Sequence, residues 1–380
     1  MKILAILLAL FYQGQPAGPL TTVRTTLRGL AAQLDEHRPT FGATADLTAA
    51  KHQLRDWIES ELAGQNPQID SGAFSQKLRA ALGDADLLCN DCTVSVNYLG
   101  YVDDVRVMRR GDFLVVVTAT GISCGYDESA YAYAWSGQQW RRVWEHEQNT
   151  YTAEGYVPQQ IQDIQISSVG ADGERLLMLL GSQTLCGGAF KNLYARAWQI
   201  DSNNTFKAVL NWTGYGDDGY PPLTGRVLPD DVLFEYTAGG AISGEVHTAV
   251  RHFKVGQGAA AQVDPIAGRP HDFVLEWLAA PWQESRLRSD SVSLETAYTQ
   301  LRRPDAAGDF PDSTLRCTGG EDLWQVATNL YERPKRYFRV RRQSPLKFTM
   351  VSISETPYPD CTVKDDRGET YPDLLSNGSR

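Results

Sequence analysis

The sequence predicts a mainly β fold, with propeller-like or sandwich-like antiparallel sheets between an N-terminal helical segment and a small C-terminal α+β unit. Three observations predict it. Apolar residues recur at helical spacing between residues 21 and 83. From Thr93 onward, short β-type runs are separated by Gly, Asp, Asn and Ser. Those runs also repeat, because Cys186 follows Cys124 by 62 residues and Trp198 follows Trp135 by 63. Of 380 residues, 42% are apolar and 22% charged, which supports a packed core and excludes a disordered, collagen-like or multi-spanning membrane chain. At ~150 residues per domain the length suggests two or three domains. Lys+Arg 36 against Asp+Glu 46 gives a net charge of −10, which disfavours nucleic acid as a partner.

At the start of the chain, Met1 and Lys2 precede an apolar run from Ile3 to Phe11, which Gln13, Gly14, Gln15 and Pro16 then break. The run is too short to span a bilayer, and its layout is that of a secretory signal peptide, residues 1–18, cleaved between Gly14 and Gly18. A buried strand or helix start is the alternative. The expectation is a periplasmic or secreted protein with no integral membrane segment in the mature chain.

Residues 19–88 read as helices. Val23, Leu27, Leu30 and Leu34 share one face, as do Leu47, Ala50, Leu54, Trp57 and Ile58, and then Phe74, Leu78, Ala81 and Leu82. Asp46 and Asp70 or Ser71 are expected as N-caps, with Gly64 and Gly83 just past the ends. So small a group has little core of its own, and its stripes are expected to dock on the following domain or a partner.

Residues 89–270 read as β-meander repeats. One copy runs through Phe113–Thr120, Tyr131–Trp135 and Trp140–Trp144, and the next through Arg175–Leu180, Leu193–Trp198 and Phe206–Leu210. A weaker third copy spans Val232–Tyr236 and Val246–Val255, without a cysteine. Three or four strands joined in sequence are the build of a propeller blade, which is weighed ahead of a sandwich. The turn Gly170-Ala-Asp-Gly-Glu-Arg-Leu-Leu177 resembles the Asp/Gly-rich turn of FG-GAP-type propeller repeats. Calcium is not expected there, since Asp172 and Glu174 follow Ser167, Ser168 and Val169 and offer too few carboxylates for an ion that takes 6–8 oxygens.

Residues 271–363 read as a small α+β unit. Leu294, Ala297, Tyr298 and Leu301 are helical in spacing, Glu321 to Tyr331 fits helix or strand, and Arg336–Arg342 with Phe348–Ser354 reads as two strands. The polar residues 364–380 are expected to be a mobile tail.

Six cysteines fit an oxidising compartment, and placement suggests pairing Cys89 with Cys92, Cys124 with Cys186, and Cys317 with Cys361. Cys89-Asn-Asp-Cys92 has thioredoxin-like spacing, yet it follows a helix rather than opening one, so a structural bridge is favoured over redox chemistry. No zinc ligand set, phosphate loop or His-Glu-x-x-His occurs. Neither a metal nor a cofactor is expected, and no catalytic residue is assigned. His247 and His252 are five apart on a strand and so face opposite ways. Arg110-Gly-Asp112 fits a turn between strands.

Two surfaces remain as candidates. The stretch Asn211–Pro222 reads as a loop in which Trp212, Tyr215 and Tyr220 offer flat apolar faces and Asp217 and Asp218 offer acceptors, a combination that fits a sugar or peptide. An inter-blade connection whose aromatics cap the core is the competing reading. In Lys335–Arg342, Phe338 and Val340 should point inward and Tyr337, Arg339 and Arg341 outward. That face would meet an anionic polymer or carboxylate, or would be a sheet edge protected by charge, the latter being preferred. The sequence thus favours an exported binding or scaffolding protein with a protein or glycan ligand. The alternative is an extracytoplasmic hydrolase of sugar or peptidoglycan, with redox activity third.

Overall fold

The structure, a computed structural model, describes residues 18–36, 42–88, 100–122, 125–148, 158–184, 190–217, 223–240, 245–256, 258–302, 310–320, 322–329, 335–344 and 347–364. The leader, the tail beyond residue 364, Cys89, Cys92, Cys124, Cys186, Asp218 and Tyr220 lie outside the described residues. The chain divides into two compact units, Met1–Ile161 with Gln183–Gly187, and Gln162–Ser182 with Gly188–Arg380.

In the first unit, α1 (Pro19–Glu36), α2 (Gly42–Leu62) and α3 (Ser71–Asp84) precede an antiparallel meander of β1 (Val102–Arg110), β2 (Phe113–Ile122), β3 (Gly125–Trp135) and β4 (Trp140–His146). The helical stripes are covered by this sheet. Leu27, Leu54, Ile58 and Leu78 share one core with Val105, Leu114, Val116 and Tyr133. Three short helices bury too little apolar surface alone, so the sheet face completes their core. Asp70 caps α3, its carboxylate accepting the Ala73 N–H at 3.0 Å. In contrast, α2 begins ahead of Asp46 and α3 runs past Gly83. The Arg110–Gly–Asp112 turn joins β1 to β2 with Gly111 at φ +58°, a left-handed conformation that glycine adopts freely.

The second unit contains three sheets. One is a meander of β5 (Gln159–Ile166), β6 (Arg175–Thr184), β7 (Phe190–Ile200) and β8 (Phe206–Asp217), beginning within β5 at Gln162. The next is β9 (Thr224–Leu228), β10 (Asp231–Gly240), β11 (Glu245–Val255) and β12 (Ala260–Val263), again in sequential order. Met178, Leu193 and Leu210 of the first pack with Val232, Phe234 and Phe253 of the second in one core. The third repeat copy is thus a full four-stranded sheet. Helices α4 (Pro270–Ala279), α5 (Trp282–Arg286) and α6 (Leu294–Leu301) then cover a sheet of β13 (Phe310–Cys317), β14 (Leu323–Asn329), β15 (Arg336–Ser344), β16 (Lys347–Ser354) and β17 (Cys361–Lys364), with β17 beside β13. Cys317 pairs with Cys361 across those two strands and the two are disulfide-bonded.

The fold is mainly β and antiparallel, with blade-like meanders. The second strand of each meander carries a continuous buried run, as in Phe113–Ile122, Leu176–Leu180, Asp231–Phe234 and Trp324–Thr328, because a central strand covered on both faces has no solvent side. The same fact settles the ambiguous stretch as far as it is described: Leu323–Asn329 is strand and not helix. No helix among the described residues is long and apolar enough to cross a membrane.

Candidate functional site

The 211–222 segment differs from its expected form, because it is strand and not loop as far as Asp217, the last residue of β8. Strand alternation then sorts its side chains. Trp212 lies on the core side with Leu210, half-buried, its ring 4.9 Å from Phe234 and 5.0 Å from Tyr236. Gly214 makes room for it. A Cβ at 214 would sit 2.4 Å from the indole Cη2, so only glycine lets the ring fold back along its own strand. Trp212 therefore packs part of its ring against the core.

The opposite face is different. The register pairs Asn192 with Tyr215, Tyr194 with Thr213 and Arg196 with Asn211, so these six side chains share one side of the β7–β8 ribbon. Tyr215 is 75% exposed, unusual for a large aromatic on a strand. Asn211 and Thr213 are exposed and Asn192 half-buried. Arg196 is half-buried over the Tyr194 ring, 5.3 Å from its centroid, and donates to the Ala195 carbonyl at 3.2 Å and the Trp212 carbonyl at 2.5 Å. Burial pulls its guanidinium below the ordinary arginine range, opposed only by Tyr194. β8 is the last strand of its sheet, and on this face Tyr194 is buried while the β8 side chains are exposed. Tyr215 was legible as a candidate in the sequence; Asn192, Thr213 and Arg196 were not, since their placement needs the β7–β8 register.

A second concentration of polar groups lies in the first unit on β3, where Asp127 and Glu128 are buried. Lys51 of α2 pairs with Asp127, whose other oxygen accepts the Gln159 N–H at 3.0 Å. Glu128 accepts from Arg106 at 2.5 Å and from the Ile161 N–H. Desolvation raises its carboxyl to about 7 despite Arg106 and the backbone N–H, with Asp104 and Asp127 adding to the rise. Glu147 accepts from Tyr131 and meets His52 at 3.0 Å.

The other sequence candidates are accounted for by local structure. Arg336, Arg339, Arg341 and Arg342 pair with Glu355, Asp360, Asp290 and Asp322. Strand β15 runs between β14 and β16, so the preferred explanation, a charge-protected edge, is corrected: these arginines bind the fold's own acids. Phe338 and Val340 do point inward. In the Gly170–Glu174 turn, Asp172 accepts the Glu174 N–H at 3.0 Å and thereby closes the turn with its own carboxylate. His247 meets Glu276 and His252 meets Asp231, two separate partners. Among the described residues, the one His/Cys/Asp/Glu group at metal-ligand spacing is Cys317, Asp360 and Cys361, whose two sulfurs are bonded to each other.

No protein-family model matches the chain, so the FG-GAP resemblance is without such support, and no curated protein matches. Among solved structures, the chain is similar to a thermostable family-43 glycoside hydrolase at 8% identity, covering 69% of this chain and 78% of that one with a TM-score of 0.22. It is also similar to an α-L-arabinofuranosidase from Fusarium graminearum in complex with an iminosugar inhibitor, at 11% identity over 69% and 68% of the two chains with a TM-score of 0.25. At these scores the likeness carries no argument about activity.

Proposed function

We propose that the protein is an exported carbohydrate-binding protein whose ligand surface is the outer face of β7–β8. The observation that carries the reading is Tyr215, whose exposed ring has Asn192 opposite it and Thr213 next along the same face, with Asn211 beyond. A sugar ring offers one face of C–H groups, which stack on an aromatic, and a rim of hydroxyls, which need amide and hydroxyl partners. Export rests on the leader-like first residues and the even number of cysteines. Replacing Tyr215 by Ala removes binding on a glycan array while the melting temperature stays within a degree or so, as for a surface substitution. Replacing Trp212 by Ala does the reverse first, destabilising by about 3 kcal/mol through the lost core packing. A Tyr215→Ala variant that binds as well as the wild type overturns the assignment.

A further inference from the structure

We infer that the ligand of the β7–β8 face carries an anionic group, a carboxylate or sulfate on the sugar, and that Arg196 is the residue that receives it. The inference rests on the reading of this face as a carbohydrate surface and adds the charge of the ligand.

The argument starts from how this protein treats its other guanidinium groups. Arg55 and Arg251 are also partly withdrawn from water, which by itself lowers them, yet Asp56 and Glu147 raise the first and Glu276 the second. Arg106, Arg142, Arg288, Arg336 and Arg339 each meet a carboxylate within 3.3 Å. Arg196 meets none among the described residues. Its two bonds, both from one terminal nitrogen, go to neutral backbone carbonyls, and its shift runs opposite to those of Arg55 and Arg251. A chain of net charge −10 has acids in excess, so a half-buried cation left without one is costly to hold.

Geometry places that cation in the surface. The bond to the Trp212 carbonyl and the contact with the Tyr194 ring bring the guanidinium alongside the Tyr194–Thr213 pair. Tyr215 stands two residues further along the same face, roughly 7 Å at strand spacing. A ring stacked on Tyr215 therefore holds a substituent, or the next residue of an oligosaccharide, over Arg196. The remaining guanidinium N–H groups form a planar fork that matches a carboxylate or sulfate.

The test is titration of the full chain with three probes: an oligogalacturonide, the same oligomer after its carboxyl groups are reduced to neutral alcohols, and a sulfated oligosaccharide of equal length. The expected result is that one or both anionic probes bind at least about tenfold more tightly than the neutral one, the worth of one charge-assisted bond. That preference should shrink as salt rises. Arg196→Gln should abolish the preference and Tyr215→Ala should weaken every probe alike. The wild-type comparison and its salt dependence need no variant, so a destabilised Arg196→Gln does not blunt the test, and melting curves identify that case. Tyr215-dependent binding with equal affinity for neutral and anionic probes overturns the inference and leaves the carbohydrate reading standing. Binding of none of the three, together with an empty glycan array, overturns both. Preference for the carboxylate over the sulfate probe, or the reverse, identifies the anion.

Discussion

Glu128 is an acid whose surroundings strongly alter its ordinary chemistry. Its carboxyl is held at about 7 in the folded chain against 4.5 for an unperturbed glutamate, chiefly because burial penalises the charge more than Arg106 and the Ile161 N–H repay it. The sign follows from proton counting. Between pH 4.5 and 7 the folded chain holds a proton that the unfolded chain has released, so stability falls as pH rises through this window. At ~1.4 kcal/mol per unit the loss is on the order of 3 kcal/mol. Glu128→Gln keeps an oxygen for the backbone N–H and cannot ionise, so its melting temperature should stay level from pH 5 to 8 where the wild type declines. A variant with the wild-type slope would place the titration on another group.

Along α2, polar residues form a ladder onto the first sheet. Lys51 meets Asp127, His52 meets Glu147, Arg55 lies between Glu145 and Glu147, and Glu59 meets Arg142. Lys51 and Asp127 are fully buried, so removing either charge takes from the other an ionic partner that water does not replace. Lys51→Met should cost about 3–5 kcal/mol in denaturant unfolding followed by tryptophan fluorescence. Adding Asp127→Asn, which keeps the acceptor for the Gln159 N–H but has no charge, should recover most of that loss; a double variant no better than the single one would mean the pair is not what holds this contact. The apolar stripe of α2 was legible because Leu47, Ala50, Leu54, Trp57 and Ile58 fall at helical spacing. The ladder was not. Periodicity reports which face is buried, and nothing local links Lys51 to an acid 76 residues on. Similar reasons hid α4, whose residues are buried nearly all round and so leave no amphipathic signal. They also made β8 read as loop, since Gly214 and Gly216 look like turn residues until the indole of Trp212 is seen to need the space at 214. Tyr215 was visible as an aromatic, whereas its exposure and its neighbour Arg196 depended on the β7–β8 pairing.

Over the whole chain, buried acids move in opposite directions according to the partners they meet, so the two compact units should differ in their response to pH. In the second unit, burial alone would raise Glu276, but Arg251 at 2.7 Å and His247 at 2.9 Å outweigh it and bring its carboxyl down to about 2. A depressed folded value means the folded chain releases its proton first as pH rises, so this network contributes stability above pH 4.5 and loses it as pH falls from 4.5 toward 2. Glu128 in the first unit works the other way, its cost growing from pH 4.5 to 7. Hydrogen exchange read by mass spectrometry and corrected for the intrinsic rate should therefore separate the units. From pH 5 to 8, protection should fall in β2 and β3 and hold steady in β10, β11 and α4; from pH 5 to 3 the order should reverse. Glu276→Gln should weaken the second unit at pH 7 and remove its acid limb, because an amide cannot ionise to meet Arg251. Protection that changes in parallel across both units at either end of the range would overturn the prediction that each unit follows its own carboxyl.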